Sequence, residues 1–193
     1  MAGTDLIRAQ RELRPLEQGH LDGLCGLYAI INAVRVAVYA ELTLSTRVSK
    51  RLFECGLIIL GRKKRLRHTI VNGIDHALWL VMCRVVIAEA ERLTAYRLVV
   101  SHLFNHERSW HTRNVIHGIA ASVRRNQPVI ICLEGRLDHW SVVTQCTPTR
   151  FNLFDSAGYR CIFIASLTAS DKRPGKAHLV NRDGVFVLIN PAR

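Results

Sequence analysis

Three residues that lie far apart in the sequence carry the side chains that nucleophilic catalysis needs: Cys25, His139 and Asp155. Cys25 precedes Gly26 and a run that is apolar on every face as far as residue 38, which predicts a buried helix beginning near the cysteine. The unpaired N–H groups and the dipole at a helix N-terminus favour negative charge, and therefore the nucleophilic thiolate. Taken alone, a Cys-Gly pair before an apolar helix fits a small buried residue at least as well.

The sequence around His139 adds a candidate base. This histidine enters the predicted strand 140–144 from a polar loop, so we expect its ring at the rim of a sheet, half exposed, with Trp140 shielding the site from water. Asp155 closes the predicted strand 151–154. If these segments pair as a hairpin, the histidine and the aspartate lie at the same open end, where a carboxylate can accept the imidazole N–H and fix its tautomer. Each residue alone fits a loop or turn position, whereas the three together predict catalysis.

Acyl transfer also needs hydrogen-bond donors aimed at the oxygen that becomes negatively charged in the transition state. The backbone N–H of Cys25 and the side-chain amide of Gln18 are the candidates for this role. Gly26, behind the cysteine, permits a substrate or a neighbouring strand to approach closely. His20 is a competing base by proximity in sequence, but we expect it on the loop before Cys25 rather than facing the thiol.

The elements that must position these residues follow an α+β order. Helical patterns fill the N-terminal half and are followed by segments typical of an antiparallel sheet of about five strands. We expect a single domain over residues 1–193, with a polar, flexible lead-in over 1–14. Besides the apolar helix, the predicted elements are helices at 45–55 (capped by Ser45), 73–93 and 114–125, strands at 129–133, 140–144, 151–154, 161–164 and 185–189, a candidate short strand within 96–103 and a loop at 170–175.

Taken in chain order, these motifs resemble those of a papain-like cysteine peptidase. The resemblance is carried by Gln18, Cys-Gly at 25–26, Asp-His-Trp-Ser-Val-Val at 138–143 and Leu-Phe-Asp-Ser-Ala-Gly at 153–158. Within that class the chain is similar to the bacteriocin-processing peptidase domains of ABC transporters and to their free-standing bacterial relatives. The resemblance implies a papain-like fold, in which a central nucleophile helix packs on the antiparallel sheet.

The same resemblance assigns a role to each residue. It implies that Cys25 is the nucleophile, that His139 is the general base and then the general acid, that Asp155 orients the imidazole and that Gln18 is the oxyanion donor. Two features depart from the family pattern. Gln18 precedes the cysteine by seven positions, one more than the usual step, and Ser156 follows the aspartate where the relatives usually carry proline.

This interpretation predicts a cysteine-dependent hydrolase that cleaves a peptide or isopeptide bond through a thioester acyl-enzyme, with no cofactor and no metal. We expect a protein or peptide substrate that is cut after small residues in an extended segment, with a ubiquitin-like protein as one candidate. Two alternatives stay open. One is an Arg-rich module that binds nucleic acid or an acidic protein on the same scaffold, and the other is an enzyme that transfers the acyl group to an amine or deamidates glutamine.

The charge of the chain favours an acidic partner. The 193 residues carry 27 Lys+Arg against 15 Asp+Glu, which gives a net charge of +12. An acidic protein surface or nucleic acid could exploit such a field. We expect the basic run 62–67 to be a solvated loop, because no nucleic-acid-binding motif and no interleaved aromatic residue accompanies it.

The spacing of the cysteines and histidines argues against a metal site, and the length of the apolar runs argues against a membrane-spanning helix. The six cysteines include no CxxC pair, so we expect free thiols in a reducing cytoplasm, with all but Cys25 serving as packing residues. His102, His106 and His111 fit a solvated polar segment better than a metal site.

No apolar run reaches the roughly 20 residues of a membrane-spanning helix, and no secretory signal is visible. We therefore expect a cytoplasmic protein, or an effector secreted without such a signal, and no membrane partner.

Overall fold

The computed structural model describes residues 4–104, 111–169 and 177–191. Within these ranges the chain forms six α-helices and a seven-stranded sheet, which confirms the α+β class. The helices are α1 (Thr4–Glu12), α2 (Cys25–Val38), α3 (Thr46–Arg62), α4 (Leu66–Asn72), α5 (His76–Thr94) and α6 (Thr112–Arg124). The strands are β1 (Val99–His102), β2 (Val129–Gly135), β3 (His139–Cys146), β4 (Arg150–Phe154), β5 (Cys161–Phe163), β6 (Leu167–Thr168) and β7 (His178–Ile189).

Helix α2 lies at the centre of the core. All of its residues except Tyr28 and Arg35 are buried, as a sequence that is apolar on every face predicts. It packs on β2, β3 and β7 of the sheet and contacts helices α1, α3 and α5. Its first residue is Cys25, so the packing of this helix determines where the thiol lies.

The sheet is larger than the sequence predicts. Its strands follow the spatial order β1-β7-β2-β3-β4-β5, with β6 beside β7, and every pair is antiparallel except β6 with β7. Strand β1 falls in the candidate segment 96–103, whereas the two-residue β6 has no signal in the sequence. Strand β7 begins at His178 rather than at residue 185. The predicted loop 170–175 lies outside the described residues.

Helix α3 begins as predicted and ends later. The Ser45 hydroxyl caps it by accepting a hydrogen bond from a backbone N–H of the first turn at 3.3 Å. The helix continues to Arg62 instead of residue 55, because its buried stripe continues through Leu60. The basic run 62–67 is therefore not a simple loop, since it comprises the end of α3, a turn and the start of α4.

Helices α4 and α5 meet at a sharp bend of 112°. Gly73, with a φ of 80°, ends α4, and the Asp75 side chain caps α5 by accepting a hydrogen bond from the N–H of Leu78 at 2.9 Å. Within the described ranges no single helix is both long and apolar enough to cross a membrane, and only this bent pair meets those criteria when its two helices are counted together.

The N-terminal lead-in differs from the expected flexible segment. Residues 4–12 form α1, whose Leu6 and Ala9 are buried. The Asn126 side chain accepts a hydrogen bond from the first turn of α1 at 3.2 Å and joins it to the end of α6. The polar residues that suggest a flexible segment lie on the exposed face of an amphipathic helix.

Candidate active site

Two neighbouring strands hold His139 and Asp155 side by side. His139 is the first residue of β3 and Asp155 follows the last residue of β4, and the strands pair with Val142 opposite Phe154. The hairpin therefore brings both residues to one end of the sheet, as the sequence predicts. Nε2 of His139 lies 2.8 Å from a carboxylate oxygen of Asp155, the distance of a charge-assisted hydrogen bond.

This pair is buried rather than half exposed. His139 is 5% exposed and Asp155 is 2% exposed, so the expectation of a ring at the solvent-facing rim is wrong. Tyr159 accounts for part of the difference, because its ring stands edge-on to the imidazole with the centroids 5.6 Å apart. Tyr159 itself remains 44% exposed and forms part of the cover over the histidine.

The turn between β2 and β3 sets the direction in which β3 starts. Gly135 and Asp138 both have positive φ values, of 95° and 40°, a conformation that residues other than glycine rarely adopt. The Asp138 side chain stabilises the turn by accepting a hydrogen bond from the N–H of Gly135 at 3.0 Å. Because Asp138 directly precedes His139, the turn orients the histidine.

The carboxylate of Asp155 uses both of its oxygens as acceptors. One oxygen bonds His139, and the other accepts hydrogen bonds from the backbone N–H groups of Ala157 at 2.8 Å and Tyr159 at 3.2 Å. Burial by itself raises the pKa of Asp155, but the hydrogen bond and charge of His139, with smaller contributions from other hydrogen bonds, lower it by more. The side chain is therefore ionised at neutral pH.

His139 has a strongly raised pKa. Burial by itself lowers the pKa of this imidazole, but the hydrogen bonds and charges of Asp155 and Cys25 raise it by more, to about 9. The ring is therefore an imidazolium at neutral pH. Because Nε2 bonds the carboxylate, Nδ1 is the ring nitrogen left for the thiol.

On the helical side, Cys25 lies close enough to the ring to contribute to its raised pKa. It is the first residue of α2 and is 7% exposed, and Leu24 at the cap position makes no side-chain hydrogen bond to the helix. The N–H groups of Leu27 and Tyr28 both donate to the Leu24 carbonyl, at 2.9 and 3.1 Å, whereas those of Cys25 and Gly26 have no hydrogen-bond partner among the described residues. Asp22 orders the loop before the helix, because its carboxylate accepts hydrogen bonds from the N–H groups of Gly19 at 2.7 Å and Leu24 at 3.1 Å.

Gly26 permits a close approach, but of a core side chain rather than of a substrate or a strand. The indole N–H of Trp79 donates a hydrogen bond to the Gly26 carbonyl at 3.1 Å, and a Cβ atom at position 26 would lie 2.7 Å from the Trp79 ring. Trp79 also stacks on Trp140, with the ring centroids 4.1 Å apart and the planes 8° apart. One indole therefore touches the residue after Cys25 and the residue after His139.

Gln18 lies beside the turn that follows Asp155. Its backbone N–H donates to the carbonyl of Ser156 at 2.9 Å, and its Oε1 accepts a hydrogen bond from the Ser156 hydroxyl at 3.2 Å. With Oε1 engaged, Nε2 is the donor left for another partner. Within the described ranges Gln18 makes no hydrogen bond with Cys25, so the structure brings Gln18 to the Asp155 end of the site.

Sequence reasoning assigns no role in this site to three residues that contact it: Trp79, Ser156 and Tyr159. An indole in an apolar helix is typical of a core residue, and nothing in its spacing indicates a contact with Gly26. Tyr159 reaches the histidine only because the turn after β4 folds back toward β3. Ser156 carries the clearest signal, because it stands where the resembling family usually has proline.

The competing histidines lie elsewhere. His20 is exposed on the loop before Cys25, as expected. The ring nitrogens of His102 contact the Arg182 carbonyl at 3.0 Å and the backbone N–H of Phe104 at 3.2 Å, and His106 lies outside the described residues. Among the residues that the structure describes, no group of three or more His, Cys, Asp or Glu side chains is placed to hold a metal ion.

The other cysteines have surroundings unlike those of Cys25. All six cysteines are free thiols. Burial raises the pKa of Cys83 and of Cys132 to about 12, so both remain protonated and unreactive at neutral pH. Within the described part of the chain, Cys25 is the cysteine that has an imidazole as its partner.

The site therefore joins a thiol, an imidazolium and a carboxylate, with unpaired helix N–H groups beside the sulfur. Such a set can hold a thiolate–imidazolium pair and can move a proton between the sulfur and a bound group. Compared with protein-family models, with curated proteins and with solved structures, the chain matches none.

Proposed function

We propose that this chain is a papain-like cysteine hydrolase that cleaves a peptide or isopeptide bond through a thioester intermediate. The 2.8 Å hydrogen bond between buried His139 and Asp155, with Cys25 as the second partner of the ring, is the observation that supports the proposal most. Removing two charged groups from water is costly for stability alone. Their place beside a nucleophile therefore favours a function over a purely structural role.

In the proposed reaction the Cys25 thiolate attacks the carbonyl carbon of the substrate and forms a C–S bond. His139 gives its proton to the leaving nitrogen, the C–N bond breaks and a thioester remains. Water then attacks the thioester, neutral His139 takes the proton of this water, and the C–S bond breaks. The thiolate and the imidazolium are restored, while Asp155 keeps the ring in one tautomer and orientation throughout.

Two donors are proposed for the oxyanion: the backbone N–H of Cys25 and Nε2 of Gln18. The Ser156 hydroxyl holds Oε1 of the glutamine at 3.2 Å and so orients its amide. Proline, the usual residue at this place in the resembling family, has no hydroxyl. Ser156 therefore compensates in this chain for a glutamine that lies one residue farther from the cysteine.

The arrangement of elements supports the papain-like part of the proposal. A central helix begins with the candidate nucleophile and packs on an antiparallel sheet. Two adjacent strands of that sheet supply the histidine and the aspartate. The chain order Gln18, Cys25, His139, Asp155 is the order that the resemblance implies.

The first test is selective alkylation with limiting iodoacetamide, read by peptide mass mapping. Cys25 is buried, whereas Cys55, Cys132, Cys146 and Cys161 are partly exposed, so access alone would direct the reagent to these four residues. The proposal predicts that Cys25 reacts first at neutral pH and that His139→Ala removes this preference. Labelling that simply follows exposure, with these four cysteines reacting before Cys25, contradicts the proposal.

The second test is turnover of a library of extended peptides that contain Gly-rich segments. We expect a new amino terminus within the cut peptide, and no product from the Cys25→Ala variant. Release of ammonia, or a crosslinked product without a new amino terminus, would instead identify a deamidase or an acyltransferase that uses the same thioester.

A further inference from the structure

A cluster of basic side chains lies outside the candidate active site and takes no part in the proposed chemistry. It consists of Arg62, Lys63, Lys64 and Arg67, hereafter the basic rim, and all four residues are exposed. Among the described residues none of the four forms an ion pair, whereas their neighbour Arg65 pairs with Asp75 at 3.5 Å. The charge of the basic rim is therefore available to a partner.

The basic rim lies at the same end of the helical layer as the thiol. Helices α2 and α3 run in roughly opposite directions. Leu27, in the first turn of α2, fills the space beside Gly56 in the second half of α3, and only the seven residues 39–45 join the end of α2 to the start of α3. The C-terminal end of α3, which begins the basic rim, therefore lies beside the N-terminal end of α2.

The rise per residue of an α-helix gives the position of the basic rim, measured along the helix axes, relative to Cys25. Cys25 lies two residues before Leu27, whereas Arg62 lies six residues beyond Gly56, and these steps correspond to about 3 Å and about 9 Å along the helices. The end of α3 therefore projects about 6 Å past the level of the thiol. A chain bound at the thiol can therefore extend to the basic rim.

Helix α4 connects the basic rim to the loop before the nucleophile. The N–H of Gly23 donates a hydrogen bond to the Ile70 carbonyl at 2.7 Å, which attaches that loop to α4. Arg67 and Val71 are four positions apart and so share one face of α4. Val71 is 70% exposed, and Leu21 on the attached loop is 94% exposed. Along α4 and the attached loop, the exposed side chains therefore change from basic at Arg67 to aliphatic at Val71 and Leu21.

From this juxtaposition we infer that the basic rim binds an acidic segment of the polypeptide substrate and guides the neighbouring scissile bond to Cys25. The inference rests on the proposed hydrolase function and adds the charge of its substrate. A polypeptide fits better than nucleic acid because the run 62–67 contains no aromatic residue on which a base could stack. The exposed apolar side chains that follow it, Val71 and Leu21, are aliphatic and suit a peptide.

The acidic residues of the substrate should lie a short distance from the bond that is cut. The span from the basic rim to the thiol, about 10 Å along α4 and a further loop, corresponds to roughly four to six residues of extended chain. Exposed charges act mainly by speeding association, and their effect weakens as salt is added.

The experiment measures binding of labelled peptides to the full-length Cys25→Ala variant, so that no turnover interferes. The probes are a peptide of alternating glutamate and serine, its counterpart with glutamine in place of glutamate, and an oligothymidylate. The test variant is Lys63→Glu/Lys64→Glu. The matched control is Arg47→Glu/Lys50→Glu, which makes the same charge change at exposed positions near the other end of α3. Thermal unfolding of each variant checks the fold.

We expect the glutamate peptide to bind at low salt, the glutamine peptide not to bind, and the test variant to weaken binding about tenfold. The control variant should change the Kd of the glutamate peptide far less. Arg67→Glu, on the exposed face of α4, should weaken binding in the same direction as the test variant. Equal losses in the test and control variants would mean that only net charge matters, and would overturn the inference.

Preference for the oligothymidylate over the glutamate peptide, lost in the test variant, would also overturn it in favour of nucleic acid. Failure here is distinct from failure of the proposed function. If the basic rim has no role but the hydrolase proposal holds, Lys63→Glu/Lys64→Glu leaves the Kd of the glutamate peptide unchanged, while Cys25 remains the first cysteine that iodoacetamide alkylates. If the hydrolase proposal is wrong, alkylation lacks selectivity whether or not the glutamate peptide binds.

Discussion

The two halves of the candidate site are positioned by different forces. On the helical side, Cys25 is positioned by shape, because the side chains of Trp79 and Ile74 fill the space that the neighbouring Gly26 leaves. On the sheet side, His139 and Asp155 are positioned by polar contacts, since the carboxylate accepts hydrogen bonds from the imidazole and from two backbone N–H groups. Packing is sensitive to volume, whereas a buried hydrogen-bond network is sensitive to the identity of donors and acceptors.

Because of this difference, a small substitution on the helical side and one on the sheet side should have different effects on stability and on activity. A methyl group added on the helical side should destabilise the fold, and the activity should fall with it. An exchange of oxygen for nitrogen on the sheet side should spare much of the packing and remove the chemistry. Four substitutions or conditions test this contrast.

Asp155→Asn should have the largest effect. Both carboxylate oxygens accept hydrogen bonds, so either orientation of the amide places its NH2 group against another donor. We expect turnover, and the rate of Cys25 alkylation, to fall about 10²- to 10⁴-fold, because the imidazole loses its tautomer and its charge partner. Circular dichroism checks that the fold remains. A variant that alkylates at the normal rate would show that the carboxylate does not support the histidine.

Gly26→Ala should act through stability instead. The new methyl group would lie 2.7 Å from Trp79 and 2.8 Å from Ile74, and such overpacking costs about 1–3 kcal/mol of the free energy of unfolding. Urea unfolding measures this loss. Gly61→Ala in α3 is the matched control, because a Cβ there meets nothing within 4 Å and should stabilise the helix by up to about 1 kcal/mol. Equal losses of unfolding free energy at the two glycines would show that close packing at Gly26 does not position the helical side of the site.

The pH dependence of stability tests the sheet half without removing the carboxylate. The pKa of His139 is about 9 in the folded protein, above its ordinary 6.5, so its stabilising contribution is complete below pH 6.5 and is lost as the pH rises through 9. The difference in the free energy of unfolding between the wild type and His139→Gln should therefore shrink by about 1–3 kcal/mol across this window. A difference that stays constant with pH would contradict a charged imidazole in the folded state.

Ser156→Ala should give the smallest effect. It removes the hydroxyl that holds Oε1 of Gln18 at 3.2 Å but leaves the backbone hydrogen bond between the two residues. We expect kcat to fall about two- to tenfold, the value of one hydrogen bond, while the melting temperature changes little. Ser166→Ala, which removes an exposed hydroxyl bonded to the Phe163 carbonyl at 2.7 Å, is the control and should leave kcat unchanged.

The parts of the site that could be predicted from the sequence depend on short-range patterns. The apolar run after Cys25 determines α2, and its first residue is the cysteine. Two consecutive strands with a short turn pair as a hairpin, so His139 and Asp155 had to meet at its open end. Both deductions need only the period of the side chains and the length of the connection.

The parts that could not be predicted depend on contacts between distant elements. The burial of His139 requires Tyr159 and α2 to close over it, and no local pattern around the histidine contains that information. The seven-stranded sheet includes β6, whose two residues are too few to show a period. Helix α1 has a polar sequence, and only its docking at Asn126 and the burial of two apolar side chains separate it from a flexible segment.

Trp79 places a constraint on how this chain can evolve. Its indole fills the space that Gly26 leaves and stacks on Trp140. A larger residue at position 26 becomes acceptable only with a smaller one at position 79, and that change leaves the indole at position 140 without its partner. In any lineage that keeps this fold, these three positions should therefore vary together or remain fixed.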